Sequence, residues 1–431
     1  MSLFFDRPGF GERAILVHLK LNSETEPEDV GEFEELVRSA GGDVVDLIRG
    51  SRVSPHATFF VGTGKLEEIA DAVKRECADL IIFNHNLSPS QERNLEASLQ
   101  CRVLDRTGLI LDIFAMRART HEGKLQVELA QLHHLSSRLV RGWTHLERQK
   151  GGIGMRGPGE TQLESDRRMV RDRIKSIKKR LEKVRIQRDQ GRQSRLKSDT
   201  PTISLVGYTN AGKSTLFNRI TNSDVYAADQ LFATLDPIMR RVDIAEQGPV
   251  IFADTVGFIS HLPHRLIDAF RATLEEAASA NVLLHIIDAS SEERSVNIDR
   301  VNDVLKEIDA HNLPTLLVYN KIDLMKEGQA RIERDQEGNP VAVWLSALTG
   351  EGTDMLLKAV SEYLPRRLIH ANVNLQPDQG AFRAALYNHK AVLNESYNEQ
   401  GEANLEIQLP ESDFLRLVKQ SGLKIEDVDT I

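Results

Sequence analysis

The stretch that decides the fold of this chain is Gly207-Tyr-Thr-Asn-Ala-Gly212-Lys213-Ser214. It follows the apolar run Ile-Ser-Leu-Val (203–206) and leads into Ser-Thr-Leu-Phe-Asn-Arg-Ile (214–220), which predicts a strand, a loop and a helix. Glycines let backbone N–H groups curl around a phosphate, and the helix N-terminus adds its positive dipole end. We expect Lys213 to reach nucleotide phosphates and Ser214 to hold Mg²⁺. A chance glycine-rich turn is the alternative, and the flanking elements argue against it.

Two further segments complete the phosphate side of this predicted site. Asp254-Thr-Val-Gly257 follows the apolar run Val-Ile-Phe-Ala, so Asp254 is placed to hold Mg²⁺ through water. Gly257 is placed to offer its backbone N–H to a γ-phosphate. Thr234, within Leu231-Phe-Ala-Thr-Leu-Asp236, is expected to close on the metal and the γ-phosphate. A threonine alone would mean little, and its place between the two phosphate motifs carries the argument.

The remaining motifs predict that the base is guanine. Asn320-Lys321-Ile-Asp323 follows the strand pattern Leu-Leu-Val-Tyr, and a carboxylate there accepts two hydrogen bonds from guanine N1 and N2. Adenine lacks that donor pair and would leave the carboxylate unpaired. Ser346-Ala347-Leu348 follows another strand pattern, and its backbone is expected to contact guanine O6. The carboxylate of Asp323 therefore predicts GTP rather than ATP, and the order of the five motifs on alternating strands makes the pattern specific.

Two residues bear on the rate of hydrolysis. Phe258 follows Gly257 where many small GTPases carry the glutamine that orients the attacking water, so we expect slow intrinsic turnover and a partner that completes the site. Asn210 in the phosphate loop has two interpretations of equal weight. It either ligates a monovalent cation such as K⁺ beside the phosphates, or it is a structural residue that bonds its own loop.

Composition limits the remaining possibilities. The chain has 431 residues, 40% of them apolar and 28% charged, which predicts two to four folded domains. The longest apolar runs are far shorter than the ~20 residues of a membrane span, and the N-terminus lacks an apolar signal-peptide segment. With two cysteines, a disulfide scaffold and a cysteine-built zinc site are excluded, and a reducing cytoplasm is expected.

The sequence predicts four domains. Residues 1–104 alternate strand and helix patterns, including strands at 14–19, 44–48, 57–61 and 80–83, and they predict a βαβ domain. Within it, the segment 88–99 predicts a helix opened by a serine cap and a proline. Residues 199–366 predict a doubly wound α/β domain and residues 367–431 a small α+β domain.

Residues 105–198 predict an antiparallel helical hairpin. Apolar residues from Leu125 to Leu146 and from Leu163 to Val184 follow near-heptad spacing, which favours packing of two helices on each other over separate docking elsewhere. The glycine-rich segment 150–160 is predicted to be a non-helical tip, and the second arm is expected over about 162–196.

Charge is distributed unevenly along the chain. Residues 117–197 hold 22 basic and 9 acidic residues, a net of +13, whereas the rest holds 33 and 55, a net of −22. This asymmetry favours an anionic partner such as nucleic acid at one place on the molecule. A solvated, arginine-rich helix face is the alternative.

The motifs, the hairpin and the tip Gly-Gly-Ile-Gly-Met-Arg-Gly-Pro-Gly-Glu-Thr-Gln-Leu-Glu (151–164) together resemble the HflX family of bacterial ribosome-associated GTPases. The resemblance covers nearly the whole chain. It implies a P-loop GTPase that binds the large ribosomal subunit, hydrolyses GTP with Mg²⁺ and splits stalled or stressed ribosomes. GTP or GDP is then expected at Gly207, Asn210, Ala211, Gly212, Lys213, Ser214, Thr215, Phe232, Thr234, Asp254, Gly257, Asn320, Lys321, Asp323, Ser346, Ala347 and Leu348. Lys213, Thr234 and Gly257 are the expected catalytic residues, and Ser214, Thr234 and Asp254 the expected metal ligands.

The resemblance also implies contacts outside the nucleotide site. The expected contacts with ribosomal RNA are Gly151, Gly152, Ile153, Gly154, Met155, Arg156, Gly157 and Gly159, at the tip. Family members are also described as binding ATP through the N-terminal region, where Gly62-Thr-Gly64-Lys65 is a local candidate and a simple helix-opening turn is favoured. A monomer off the ribosome is expected. A ribosome-assembly GTPase and a regulatory GTPase with a protein-binding coiled coil are the alternatives.

Overall fold

The computed structural model describes most of the chain, with several gaps. The described residues are 11–21, 30–139, 158–197, 200–223, 231–244, 248–259, 274, 276–364, 368–376, 379–398, 402–421 and 428–430. No helix among them is long and apolar enough to cross a membrane.

A four-stranded parallel sheet organises the N-terminal part, in the order β2-β1-β3-β4. Its elements are β1 (Arg13–Leu21), α1 (Val30–Ser39), β2 (Asp43–Arg52), α2 (Thr63–Glu76), β3 (Leu80–Phe83), α3 (Pro89–Leu99) and β4 (Arg102–Asp105). Helix α3 has the expected serine cap, because the Ser88 hydroxyl accepts from Gln91 N and Pro89 is the first helical residue. The predicted strand at 57–61 is wrong, since Phe60 adopts a left-handed backbone with φ 65° and only an isolated bridge joins it to His56.

Three helices follow the first sheet. They are α4 (Arg106–Arg117), α5 (His121–Leu139) and α6 (Pro158–Lys197). Helices α5 and α6 run antiparallel, since Glu122 pairs with Arg188 while Glu128 pairs with Arg173. Their apolar seam joins Leu125, Leu129, Leu132 and Leu135 to Val170, Ile174, Ile177 and Leu181, which confirms that the two seams pack on each other over these residues. The predicted seam residues from 140 to 146 lie outside the described residues.

Helix α6 begins earlier than the sequence predicted. Residues 158–160 are helical, so the expectation of a non-helical tip through residue 160 is wrong there. Proline is tolerated in the first turn of a helix, because its missing N–H would have no partner inside the helix. The tip residues 151–157 lie outside the described residues, whereas Gly159 lies in the first turn of α6.

A seven-stranded sheet organises the central part, in the order β10-β11-β9-β8-β5-β7-β6. Its strands are β5 (Thr202–Val206), β6 (Ile238–Ile244), β7 (Gly248–Asp254), β8 (Val282–Asp288), β9 (Thr315–Asn320), β10 (Arg331–Arg334) and β11 (Pro340–Trp344). Helices α7 (Lys213–Thr221), α8 (Arg294–Glu307) and α9 (Thr353–Tyr363) accompany them. The five inner strands are parallel and both edge strands pair antiparallel. The carboxyl ends of the parallel strands therefore meet at one rim of the sheet, where ligands bind in such folds.

The C-terminal part forms a small α+β unit around a sheet of order β13-β14-β12-β15. Its elements are β12 (Leu368–Leu375), α10 (Gly380–Asn388), β13 (Val392–Tyr397), β14 (Ala403–Pro410), α11 (Glu411–Ser421) and β15 (Val428–Thr430).

One apolar core is shared between the N-terminal, hairpin and central parts. Side chains of α1 and α4, such as Phe33 and Phe114, lie in the same cluster as Leu231, Phe232 and Phe258 of the central part. The residues that precede and follow the nucleotide motifs are thus packed against the N-terminal part.

Candidate nucleotide site

The phosphate loop, residues 207–212, lies between the end of β5 and the start of α7, as predicted. Two of its glycines lie too close to neighbouring strands to carry a side chain. A Cβ on Gly207 (φ 148°) would lie 2.3 Å from Ile286 O, and one on Gly212 (φ 90°) would lie 2.2 Å from Asn320 Nδ2. The loop is therefore held against β8 and β9 with its backbone available for a ligand.

Lys213 is the first residue of α7 and is buried. Its ammonium donates to Gly207 O at 3.0 Å and to Tyr208 O at 2.7 Å, both within the loop. Burial lowers the pKa of Lys213 to about 8, and the negative charge of Asp254 opposes this shift. An anionic phosphate at this position would raise the pKa again and keep the side chain charged.

Gly257 lies beside this lysine because the phosphate loop pairs with the segment after β7. Thr209 N donates to Phe258 O at 2.7 Å, and Phe258 N donates to Gly207 O at 3.1 Å. A Cβ on Gly257 would lie 3.0 Å from Lys213 Nζ and 2.8 Å from Thr209 Cγ2. Gly257 and Lys213 are thus adjacent, as their predicted roles at a γ-phosphate require.

The three predicted metal ligands meet at one point. The hydroxyls of Ser214 and Thr234 lie 2.7 Å apart, and they donate to Asp254 Oδ2 at 2.7 and 2.9 Å. Asp254 Oδ1 is buried and has no hydrogen-bond partner among the described residues. Burial raises the pKa of Asp254, while the Ser214 and Thr234 hydroxyls and the Lys213 charge oppose the shift. Two hydroxyls and an unpartnered carboxylate oxygen are hard oxygen donors, so these residues fit Mg²⁺.

The base-side motifs are joined to the phosphate loop by Asn320. Its amide nitrogen donates to Ala211 O at 2.8 Å, and its amide oxygen accepts from Ala347 N at 2.8 Å. The Ser346 hydroxyl donates to Asp323 Oδ1 at 2.5 Å, which orients the carboxylate that was predicted to read guanine. Asn320 therefore fixes the distance between the phosphate loop and the two base-side segments.

Two residues that the motifs did not predict support this end of the site. The first is Asp288, at the end of β8, which forms an ion pair with Lys321 (φ 65°) at 2.7 Å. Arg219 donates to Leu348 O at 2.5 Å and ties the exposed Leu348 loop to helix α7. Neither Asp288 nor Arg219 belongs to a recognisable motif, so the sequence carried no signal for them.

Two phenylalanines near the site face away from it. Phe232 was predicted among the nucleotide contacts, but its side chain is buried edge-on against Phe114, with ring centroids 4.6 Å apart. Only the backbone of Phe232 remains for such a contact. Phe258 is buried in the same shared core. Its side chain does not occupy the place of a water-orienting glutamine.

The N-terminal part reaches the phosphate loop through helix α1. Tyr208 donates its hydroxyl to Glu32, and Asn210 Nδ2 donates to Glu35 Oε2 at 3.4 Å. Glu32 also forms a buried ion pair with Arg106 at 2.5 Å. Asn210 thus bonds a different domain, an arrangement that neither sequence interpretation of this residue included.

The candidate ATP-binding turn in the N-terminal part opens a helix. Gly62 precedes the first residue of α2, and Lys65 Nζ donates to Arg49 O at 2.9 Å and to Glu68 at 2.6 Å. The turn is therefore accounted for by local structure.

Family models match four consecutive parts of the chain. They are described as GTP-binding GTPase N-terminal (residues 27–115), GTP-binding GTPase middle region (117–195), 50S ribosome-binding GTPase (202–321) and HflX C-terminal domain (331–429). Together they account for most of the sequence.

Named relatives agree with these matches. GTPase HflX of Escherichia coli is 58% identical over 98% of this chain and 99% of its own, and GTPase HflX of Magnetococcus marinus is 46% identical over 89% of each. Among solved structures, a GTP-binding protein from Sulfolobus solfataricus in complex with GDP is 25% identical over 82% of this chain and 98% of its own, with a TM-score of 0.45. The chain belongs to the HflX family, whose members are GTPases, and it catalyses the hydrolysis of GTP.

Proposed function

We propose that this GTPase binds the large ribosomal subunit through its helical hairpin and separates stalled or stressed ribosomes into subunits. The observation that carries the proposal is the basic, exposed side of helix α6. Its apolar residues pack on α5, and the exposed side carries Arg168, Arg171, Lys175, Lys178, Lys179 and Arg180. Ribosomal RNA presents phosphates and 2′-OH groups that such a cationic face recognises.

The nucleotide bound at this site controls the affinity for the ribosome. Lys213 and the backbone of Gly257 bind and orient the terminal phosphates, while Ser214, Thr234 and Asp254 hold Mg²⁺. When bound, the metal neutralises charge on the phosphates. Thr234 lies in this cluster, and under this proposal loss of the γ-phosphate releases its loop and lowers affinity for the ribosome.

Slow turnover without the ribosome is part of the proposal. The buried Phe258 side chain cannot orient water, so a partner completes the site. We also assign K⁺ to the amide oxygen of Asn210, because only its nitrogen is engaged by Glu35. Turnover in K⁺ and in Na⁺ at equal ionic strength tests the assignment, and equal rates would remove the cation from the site.

The decisive experiment compares GTP hydrolysis by the full chain with purified large subunits, with small subunits and without either. Large subunits should stimulate turnover strongly, about 10³-fold or more if they complete the site as related activators do. Sedimentation of 70S ribosomes with GTP and the protein should show free subunits. A Lys213→Ala variant should give neither effect. Stimulation by no ribosomal particle would refute the proposal.

A further inference from the structure

Asp236 connects the nucleotide site to the hairpin. It lies two residues after Thr234 and is not among the residues expected to contact GTP. Its Oδ2 accepts from Arg119 N and Thr120 N, both at 2.9 Å, and its Oδ1 accepts from the Thr120 hydroxyl at 2.5 Å. These donors lie directly before helix α5, the first helix of the hairpin, whose positive dipole end favours a carboxylate.

The start of α5 is built around this carboxylate. The Thr120 hydroxyl accepts from Gly123 N at 2.9 Å, which is the bond that an N-cap residue makes. A Cβ on Gly123 would lie 2.1 Å from Asp236 Oδ1. Glycine inside a helix costs about 1 kcal/mol relative to alanine. The close approach of Asp236 therefore gives a reason for glycine in the first turn of α5.

The segment between Leu231 and Asp236 is held along its length. Leu231 N donates to the Ser39 hydroxyl of α1 at 3.1 Å, Phe232 packs on Phe114 of α4, and Leu235 is buried in the shared core. Thr234 and Asp236 are separated by at most about 7 Å of chain. Because so short a segment limits independent movement of its two ends, we expect a displacement of the Thr234 backbone away from Asp254 to displace Asp236 relative to α5 as well.

We propose that Asp236 is a positioning residue that ties Thr234 to the start of helix α5, so that closing of Thr234 on the nucleotide and docking of the hairpin occur together. GTP needs Thr234 at the γ-phosphate and GDP does not. Docking of α5 on Asp236 therefore favours GTP over GDP, and the coupling is reciprocal. The inference concerns the isolated protein and does not depend on ribosome binding.

The test measures affinities of the full chain for GDP and for a non-hydrolysable GTP analogue, with Mg²⁺ present. Asp236→Asn should lower affinity for the analogue about tenfold relative to GDP, on the order of one hydrogen bond to a charged group. A merely structural defect would weaken both nucleotides alike. Asp243→Asn is the matched control, since Asp243 is an exposed residue of β6 in the same part of the chain, and it should leave the ratio unchanged.

Variants on the hairpin side provide a second approach that leaves Asp236 in place. Gly123→Ala and Thr120→Val should reduce the preference for the GTP analogue in the same way, while Thr120→Ser, which retains the hydroxyl, should preserve it. Hydrogen exchange of the amides at 119–125 should differ between the GDP and analogue complexes of the wild-type chain, and Asp236→Asn should abolish that difference. An unchanged affinity ratio in both Asp236→Asn and Gly123→Ala, or amide exchange insensitive to the nucleotide in the wild type, would overturn the proposal.

Discussion

Asp323 is the residue expected to select guanine, and the Ser346 hydroxyl orients its carboxylate. Replacement of one carboxylate oxygen by an amide nitrogen tests this role. Asp323→Asn replaces one acceptor oxygen with a donor that opposes the guanine N1 and N2 donors. We expect affinity for GTP to fall at least about a hundredfold, since hydrogen bonds to a charged group contribute about 1.5–3 kcal/mol each. Competition titrations with GTP, ATP and xanthosine triphosphate measure the change.

The control for this substitution is Asp354→Asn, in the first turn of α9, where the side chain is exposed. This variant should bind GTP as the wild type does. If Asp323→Asn retained the preference for GTP, the assignment of Asp323 to guanine would be refuted.

His285 lies on β8 behind the phosphate loop and is buried, with no hydrogen-bond partner for Nδ1 among the described residues. Burial, and to a smaller degree the charge of Lys213, lowers the pKa of His285 to about 4. The unfolded chain takes up this proton near pH 6.5, so the contribution to stability is complete above that pH and is lost as pH falls toward 4. The loss amounts to roughly 3 kcal/mol.

His285→Gln should therefore reduce the acid sensitivity of folding. The free energy of unfolding, measured by urea denaturation between pH 7.5 and 4.5, should fall less steeply in the variant than in the wild type. His311→Gln is the matched control, because His311 is exposed in the same part of the chain. Parallel pH profiles for wild type and His285→Gln would contradict this account.

The residues with a motif were predictable from the sequence, and those without one were not. Lys213, Asp254 and Asn320 occur at fixed spacings after strands, so the pattern alone placed them at one rim of the sheet. Glu32 and Glu35 act at the phosphate loop across about 175 residues of chain, where no local pattern exists. No sequence pattern indicated that the Phe232 side chain turns into the core, where its left-handed backbone, at φ 57°, places it, so a nucleotide contact by Phe232 stays a prediction for its backbone alone.

Helix α6 separates an apolar stripe from a basic face, which makes its contribution to RNA binding measurable. The triple variant Lys175→Ala, Lys178→Ala and Lys179→Ala should weaken binding to large subunits. It should also lower the slope of log affinity against log salt by about 2–3, because each phosphate contact contributes about 0.7–0.9. Binding is measured by sedimentation at several salt concentrations.

A matched triple variant changes three exposed lysines of the central part, Lys306→Ala, Lys326→Ala and Lys358→Ala. It removes the same charge from the molecule and should leave the salt slope unchanged. Equal slopes for the two triple variants would show that net charge, and not the hairpin face, governs binding.

Elements with strong patterns were predicted well, and elements that depend on tertiary contacts were not. The capped helix α3 and the paired seams of α5 and α6 follow from spacing and local chemistry. The segment 57–61 has the composition of a strand, yet its turn conformation buries Phe60 and Val61. The sequence pattern did not predict the edge strands β6 and β10, because charged residues, such as those of Arg331–Arg334, interrupt their apolar runs. Both segments become strands through pairing with the neighbouring strand.

At the scale of the whole molecule, Arg106 and Glu32 link the N-terminal part to the phosphate loop through Tyr208. Arg106→Ala would leave Glu32 buried without its cation, which costs about 3–5 kcal/mol in comparable pairs. We expect a lower free energy of unfolding and a GTP site that opens at lower denaturant concentration. Urea unfolding followed with a bound fluorescent nucleotide measures both.

The double variant Arg106→Ala with Glu32→Gln is the control for this prediction. It removes the uncompensated charge and should recover part of the lost stability. A single variant as stable as the wild type would show that the ion pair between α4 and α1 does not stabilise Glu32 in its place beside Tyr208.

The core shared by α1, α4 and the segment from Leu231 to Leu235 has a consequence for dissecting this enzyme. A fragment beginning near residue 200 would expose Leu231, Phe232 and Phe258 to water as an apolar surface patch. Such patches promote self-association in solution. Kinetic constants of that fragment would then reflect self-association through this patch as well as the loss of the other domains. The contribution of each domain to GTP hydrolysis is therefore better measured with single substitutions in the intact chain.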